Sequence, residues 1–209
     1  MLTVHHLNNS RSQRILWLLE ELEVKYDIKH YERDPDTSRA PAELKAIHPL
    51  GKSPVIVDGD NVIAETGAII VYILDTYGKG RLRPKEGTQE YIEYVHFLHF
   101  AEGSAMLPLL LALYTGFLGE AAAPITPMIM NEIKGVLDYC EYQLIGNEYF
   151  AGDEMSGADI QMIFPLEAAK ARGRLKGYEA CLEYVDKIHK RPAYLRALER
   201  GGDYAYGPK

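Results

Sequence analysis

Cysteine is scarce in this chain: among 209 residues there are two, Cys140 and Cys181, and they form no spacing motif. A disulfide scaffold and a resident Cys-x-x-Cys dithiol are therefore excluded. Both cysteines fall among helical apolar positions and read as buried free thiols. A basic excess is also missing. Lys and Arg number 23 against 30 Asp and Glu, a net charge of −7, which argues against a nucleic-acid partner. Tryptophan occurs once and phenylalanine five times, but tyrosine occurs 15 times. Tyrosine hydroxyls want partners, so many of these rings are expected half-buried or in clefts. The longest apolar stretch, 105–118, is short for a bilayer and holds Pro108 and Gly116, so no membrane span is expected. Met1-Leu2-Thr3-Val4-His5 lacks a charged region followed by an apolar one, so no secretory signal is expected either. What remains is an intracellular globular protein, 47% apolar and 25% charged, able to bury a core without staples.

The first half alternates between the two periodicities. Residues 2–7 are extended in character, and Asn8-Asn9-Ser10 follows as a turn. Ile15, Leu16, Leu18, Leu19 and Leu22 then recur at helical spacing over 12–23. Residues 26–31 alternate as a strand, and 42–47 can hold a short helix. Strands at 54–57 and 61–64 flank Asp58-Gly59-Asp60, which has hairpin chemistry. Residues 66–77 carry Ile69, Ile70, Ile73 and Leu74 on one helical face. A β-α-β unit requires a parallel pair with a right-handed crossover, and the hairpin adds an antiparallel edge. The result is an α/β domain with a small mixed four-stranded sheet, thioredoxin-like, over 1–78.

Glycine and proline cluster in Gly78-Lys79-Gly80-Arg81-Leu82-Arg83-Pro84, and 79–87 reads as a linker. Everything after it, 88–209, is helical in pattern: 88–118, 124–144, 157–171, 179–190 and 192–199. Pro192 suits a first helical turn, and Pro165, inside a helical pattern, predicts a kink. Ser156-Gly157-Ala158-Asp159 is a capping box, with Met155 and Ile160 placed as a hydrophobic staple. No base neighbours Ser156, so this is a folding device and not a nucleophile. His96, His99 and Glu102 share a helical face but lack a closing ligand, so they read as polar lining and no metal is expected.

Three segments carry chemistry. The turn Asn8-Asn9-Ser10-Arg11-Ser12 precedes a helix N-terminus, where unpaired N–H groups and a positive dipole favour an anion such as a thiolate. With no cysteine before Cys140, the thiol must arrive on a ligand. In His48-Pro49-Leu50-Gly51-Lys52-Ser53-Pro54-Val55 a proline opens a strand. A cis bond at Ser53–Pro54 is expected there, leaving the Ser53 backbone free to pair with a peptide ligand, with Lys52 beside it for a carboxylate. In Ile63-Ala64-Glu65-Thr66-Gly67-Ala68 a strand runs into a helix. Thr66 is expected as its N-cap, facing a carboxylate, and Glu65 offers a charge for an ammonium.

Gly51-Lys52-Ser53-Pro54-Val55, then Glu65-Thr66, then a helical half with its Ser-x-x-Asp box, resembles the cytosolic glutathione transferase family over essentially the whole chain. The stretch from Ser10 to Leu22, with Ala101-Glu102-Gly103-Ser104, resembles a bacterial and fungal subgroup. The resemblance implies that Glu65 and Thr66 hold the γ-glutamyl end of glutathione, Ser53 the cysteinyl unit beside cis Pro54, and Lys52 the glycyl carboxylate. Ser10 matches the catalytic serine of the serine-type classes, as a hydrogen-bond donor to the thiolate. Glu102 then reaches the γ-glutamyl amine of a partner subunit in a homodimer. The chain departs from the tyrosine-type and cysteine-type patterns, and from sequence alone Ser10, Asn9 and Ser12 all remain candidates to face the sulfur.

The expected activity is attack of the glutathione thiolate on a small hydrophobic electrophile held by the helical domain, in the cytoplasm. Glutathione serves as co-substrate and no resident cofactor is expected. A thiol of pKa ~8.5 would be lowered by ~2 units by a Ser10 hydrogen bond together with the helix N-terminus. The rivals are a non-enzymatic regulatory or binding protein on the same fold and a glutathione-dependent peroxidase or reductase.

Overall fold

The computed structural model describes residues 1–37 and 39–208. By packing, the chain forms two units: Met1–Arg83 with the stretch from Ile188 onward, and Pro84–Lys187. The division drawn on secondary structure gives the last helix to the helical half. Packing gives it to the first unit.

In the first unit, β1 (Thr3–Leu7), α1 (Ser12–Glu21) and β2 (Asp27–Tyr31) make the parallel crossover, and α2 (Glu43–Ile47) lies in the connection. β3 (Val55–Asp58), β4 (Asn61–Ala64) and α3 (Thr66–Tyr77) complete a four-stranded mixed sheet of order β2-β1-β3-β4. β1 pairs parallel with β2 and antiparallel with β3, which pairs antiparallel with β4. The core is Leu2, Val4, Val55, Ile56, Ile69, Ile70 and Ile73 with the leucines of α1.

α1 is buried from Ser12 through Leu19, more than a one-faced helix requires. β1 and α3 cover one side, and α9 (Pro192–Gly201) covers the other. Trp17 meets Tyr194 edge-to-face with ring centroids 5.7 Å apart. At the polar end of that contact Glu21 accepts from Arg191 at 2.6 and 3.0 Å, and Glu20 accepts from Arg196 and Arg200. Burial pushes the Glu20 carboxyl up, but donation from Arg196, Arg200 and Tyr26 outweighs it and holds the group below its ordinary value.

In the second unit, α4 (Gln89–Phe100) and α5 (Met106–Gly116) are joined by a π-helical segment, Ala101–Ala105. The single helix expected over 88–118 is thus one run of three parts. The run Gln89–Gly116 is long and apolar enough by length and composition to cross a membrane, which counting 105–118 alone misses. Here Tyr94, Phe97, Leu98, Ala101, Ala105, Met106 and Leu109 serve the core of this unit. α6 (Thr126–Gly146) and α7 (Gly157–Ala171) follow, then α8 (Glu179–His189). α7 is buried from Gly157 to Ala169 and continues through Pro165.

Its start is held as the sequence predicts. Ser156 Oγ accepts from the Ala158 N–H at 3.2 Å, and Asp159 Oδ2 accepts from the Ser156 N–H at 2.8 Å. Asp159 also gathers distant donors: the Phe150 N–H and the Tyr184 hydroxyl each reach Oδ1 at 3.0 Å. Cys140 and Cys181 are both free and buried, and burial pushes the Cys140 thiol up to about 12.

Asp159→Ala strands four buried donors, the Phe150 and Ser156 N–H groups and the Ser156 and Tyr184 hydroxyls, and is expected to cost about 3 kcal/mol or more of stability. Ser156→Ala removes one cap and is expected to cost about 1 kcal/mol. Urea-unfolding midpoints that rank the two variants in this order are the check.

Candidate active site

The sheet register explains why three distant segments meet. His5 lies opposite Val55, and Val55 lies opposite Ala64. The C-terminal end of β1, the N-terminal end of β3 and the C-terminal end of β4 therefore share one end of the sheet. Just beyond that row the chain carries Asn8–Ser12, Lys52–Pro54 and Glu65–Thr66. Leu7 opposite Tyr31 brings the end of β2 to the same place.

Hydrogen bonds tie these ends together. Ser53 Oγ donates to the His5 C=O at 2.8 Å and accepts from the Leu7 N–H at 3.2 Å. Ser53–Pro54 is cis. Among the described residues, neither the N–H nor the C=O of Ser53 bonds to another backbone group. Lys52 is exposed, after the turn closed by the Gly51 N–H on the His48 C=O at 2.8 Å. Pro54 is buried.

Thr66 is not the N-cap that the sequence predicts. Thr66 is the first residue inside α3 and is 5% exposed, while Glu65 occupies the cap position at φ 67 and ψ 118 with no side-chain cap. A non-glycine residue with positive φ is strained by about 1–3 kcal/mol, and such strain gathers at functional sites. Its carbonyl still accepts the first helical bond, from the Ile69 N–H at 2.9 Å, while its carboxylate is exposed on the surface.

The turn before α1 is held from several sides. Arg33 donates through its backbone N–H to Asn8 Oδ1, through Nε to the Asn8 C=O and through Nη2 to the Asn9 C=O. The Ala205 N–H donates to Asn9 Oδ1 at 2.7 Å. Ser10 is 6% exposed, and its Oγ lies 2.7 Å from Ser12 Oγ. This hydroxyl is turned into the fold, where a donor to an incoming thiolate would be turned out.

Beneath the turn lies His6, 2% exposed. Its Nε2 is 3.1 Å from the Gly201 C=O and its Nδ1 is 2.9 Å from Ser12 Oγ. A carbonyl only accepts, so Nε2 carries the hydrogen. Burial first, and His30 beside it second, push the imidazole down from 6.5 to about 4, although the Gly201 carbonyl pulls the other way. Neutral Nδ1 therefore accepts from Ser12. Sequence reasoning missed His6, Arg33, Gly201 and Ala205. The inward phase of β1 was the one available signal, for His6. Glu102 is half-buried on the π-helical segment of the second unit. His96 packs against Phe97, Phe100 and Tyr139.

A four-stranded mixed sheet with a helix on a parallel crossover and a cis proline opening β3 define a thioredoxin-like domain, followed by a helical one. Residues 1–75 match the glutathione S-transferase N-terminal domain. Glutathione S-transferase 3 of Schizosaccharomyces pombe is 37% identical over 219 residues, covering 97% of this chain and 89% of that protein. Glutathione S-transferase 1 of Saccharomyces cerevisiae is 30% identical, covering 96% and 95%. A solved glutathione S-transferase from Actinobacillus pleuropneumoniae superposes with a TM-score of 0.91 at 36% identity, covering 98% and 94%. The chain belongs to the glutathione transferase family.

His6 gains stability from staying neutral. The unfolded chain binds its proton near 6.5 and the folded chain near 4, so stability falls as pH drops through that window. The loss is expected to reach about 3 kcal/mol by pH 4, and His6→Asn, which does not titrate, should flatten that part of the curve. Urea unfolding at stepped pH checks both.

Proposed function

We propose that this chain is a glutathione transferase, which binds glutathione across the shared end of β1, β3 and β4 and conjugates its thiolate to a small hydrophobic electrophile. The register that aligns His5, Val55 and Ala64 carries the reading, because it gathers the three segments at one place. Glu65 faces the α-ammonium of the γ-glutamyl unit. Thr66 and the first N–H groups of α3 face its α-carboxylate. The free Ser53 backbone pairs with the cysteinyl unit as an added strand. Lys52 meets the glycyl carboxylate.

The thiol then lies at the Asn8–Ser12 turn, where the α1 N-terminus and the turn's donors favour its ionised form. Ionisation supplies the nucleophile, and the electrophile's leaving group or acceptor carbon takes the electron pair. Glutathione is the co-substrate, with no resident cofactor. Following the family resemblance, the chain works in the cytoplasm as a homodimer, with Glu102 directed to the partner's γ-glutamyl amine. Turnover of an electrophile panel with and without glutathione tests the reading. Glutathione-dependent turnover of a hydroperoxide alone would replace it with a peroxidase.

Strain at Glu65 gives a sharper test. Glu65→Gly removes the ligand's partner and relieves the positive φ together. Glutathione affinity is expected to fall by about 1.5–3 kcal/mol while thermal stability does not fall. Calorimetry and melting on the same variant decide it, and unchanged affinity would remove Glu65 from the site. Sedimentation velocity at micromolar protein is expected to show twice the 23.6 kDa chain mass.

A further inference from the structure

Three side chains at the turn can in principle donate to the thiol sulfur: Asn9, Ser10 and Ser12. Counting hydrogens separates them. The Ser12 hydroxyl has one hydrogen and two acceptors in reach, neutral His6 Nδ1 at 2.9 Å and the Leu7 C=O at 3.3 Å, and the nearer imidazole nitrogen takes it. Ser12 Oγ is then an acceptor only, so its 2.7 Å contact with Ser10 Oγ is a donation from Ser10. Ser10 Oγ itself accepts from the Ser12 N–H at 3.2 Å. Both hydroxyl hydrogens are committed to a chain that ends on the buried imidazole and the Gly201 carbonyl. Freeing the Ser12 hydrogen leaves buried His6 Nδ1 unpaired, and freeing that of Ser10 gives up a short buried bond and leaves Ser12 Oγ with the longer one from the Leu7 N–H at 3.3 Å.

Asn9 is arranged differently. Its Oδ1 is occupied by the Ala205 N–H, which fixes which end of the amide is which. Its main-chain carbonyl is held by Arg33. No described residue pairs with Nδ2, although the side chain is only half-buried. The backbone sits at φ 49, a left-handed conformation that Asn tolerates better than most residues. Arg33 and Ala205 thus clamp a strained residue whose remaining feature is an amide with two hydrogens to give.

We propose that the Asn9 side-chain amide donates the hydrogen bond to the glutathione sulfur, and that Ser10 is held out of that role by Ser12 and His6. The proposal rests on the glutathione-transferase reading above. No covalent change is involved at Asn9: Nδ2–H points to the sulfur and stabilises thiolate over thiol, and the proton released goes to solvent.

The test is the ultraviolet absorbance of bound glutathione thiolate, titrated against pH in wild type, Asn9→Asp, Asn9→Gly and Ser10→Ala. Asn9→Asp keeps the acceptor for Ala205 while replacing the donor with a negative oxygen, and Asn9→Gly suits the left-handed backbone. Circular dichroism confirms that each is folded. Both Asn9 variants are expected to raise the thiol pKa by about 1–2 units, with Ser10→Ala within a few tenths of wild type. A shift in Ser10→Ala with none in the Asn9 variants overturns the proposal and restores the serine. A lowered wild-type pKa that no variant moves also overturns it, and gives the role to backbone N–H groups. Calorimetry showing that wild type binds no glutathione overturns the transferase reading itself, so the two failures are distinct.

Discussion

One neutral imidazole holds one end of the first unit together. His6 projects from β1 into a site with 2% exposure, gives its hydrogen to Gly201 and takes one from Ser12. It thereby joins the central strand, the first turn of α1 and the last turn of α9. The bond to Gly201 spans 195 residues of sequence. It depends on a glycine at that place, because a Cβ on Gly201 would collide with the Gln13 side chain and lie 3.0 Å from Leu16 Cδ1. Close approach of α9 to α1 is thus the condition for the bond, and the bond sets which way the serines of the turn point. Protonating His6 would put two donors against the Gly201 carbonyl and Ser12, with burial opposing the charge.

Around this fixed point, two of the five described non-glycine residues with positive φ lie at the end of the sheet where the three segments meet. Asn9 and Glu65 both have positive φ. Each would relax as glycine, and each carries a side chain that glycine would remove. Ordered neighbours hold them in place: Arg33 and the Ala205 N–H at Asn9, and the first turn of α3 at Glu65. The stability that this strain consumes is supplied by the apolar interior of the sheet and by α1 buried on two sides. The second unit contains its own fixed point in Asp159, whose two oxygens gather donors from Ser156, Phe150 and Tyr184. There the polar cluster caps a helix and joins it to α8, with no strained backbone nearby.

Periodicity and turn chemistry were enough to specify the elements and their order. Alternation marked β1 to β4, helical spacing marked α1, α3 and α6 to α9 and took α4 and α5 as one helix, and Asp58-Gly59-Asp60 marked the hairpin, because these signals are local. The Ser156–Asp159 box was legible for the same reason: its two partners lie three residues apart. The gathering of Lys52, Ser53, Pro54, Glu65 and Thr66 at one end of the sheet was legible as well, since each sits at a strand end that the β-α-β and hairpin rules bring together. Tertiary structure alone decided the rest. The π-helical break at Ala101–Ala105 has no local signature in an apolar run. The positive φ of Glu65 shifts the cap by one residue, and no propensity favours that. The direction of the Ser10 hydroxyl was undetermined in sequence because it is set by His6 and Gly201, and a hydrogen bond between residues far apart in the chain exists only once α9 has packed.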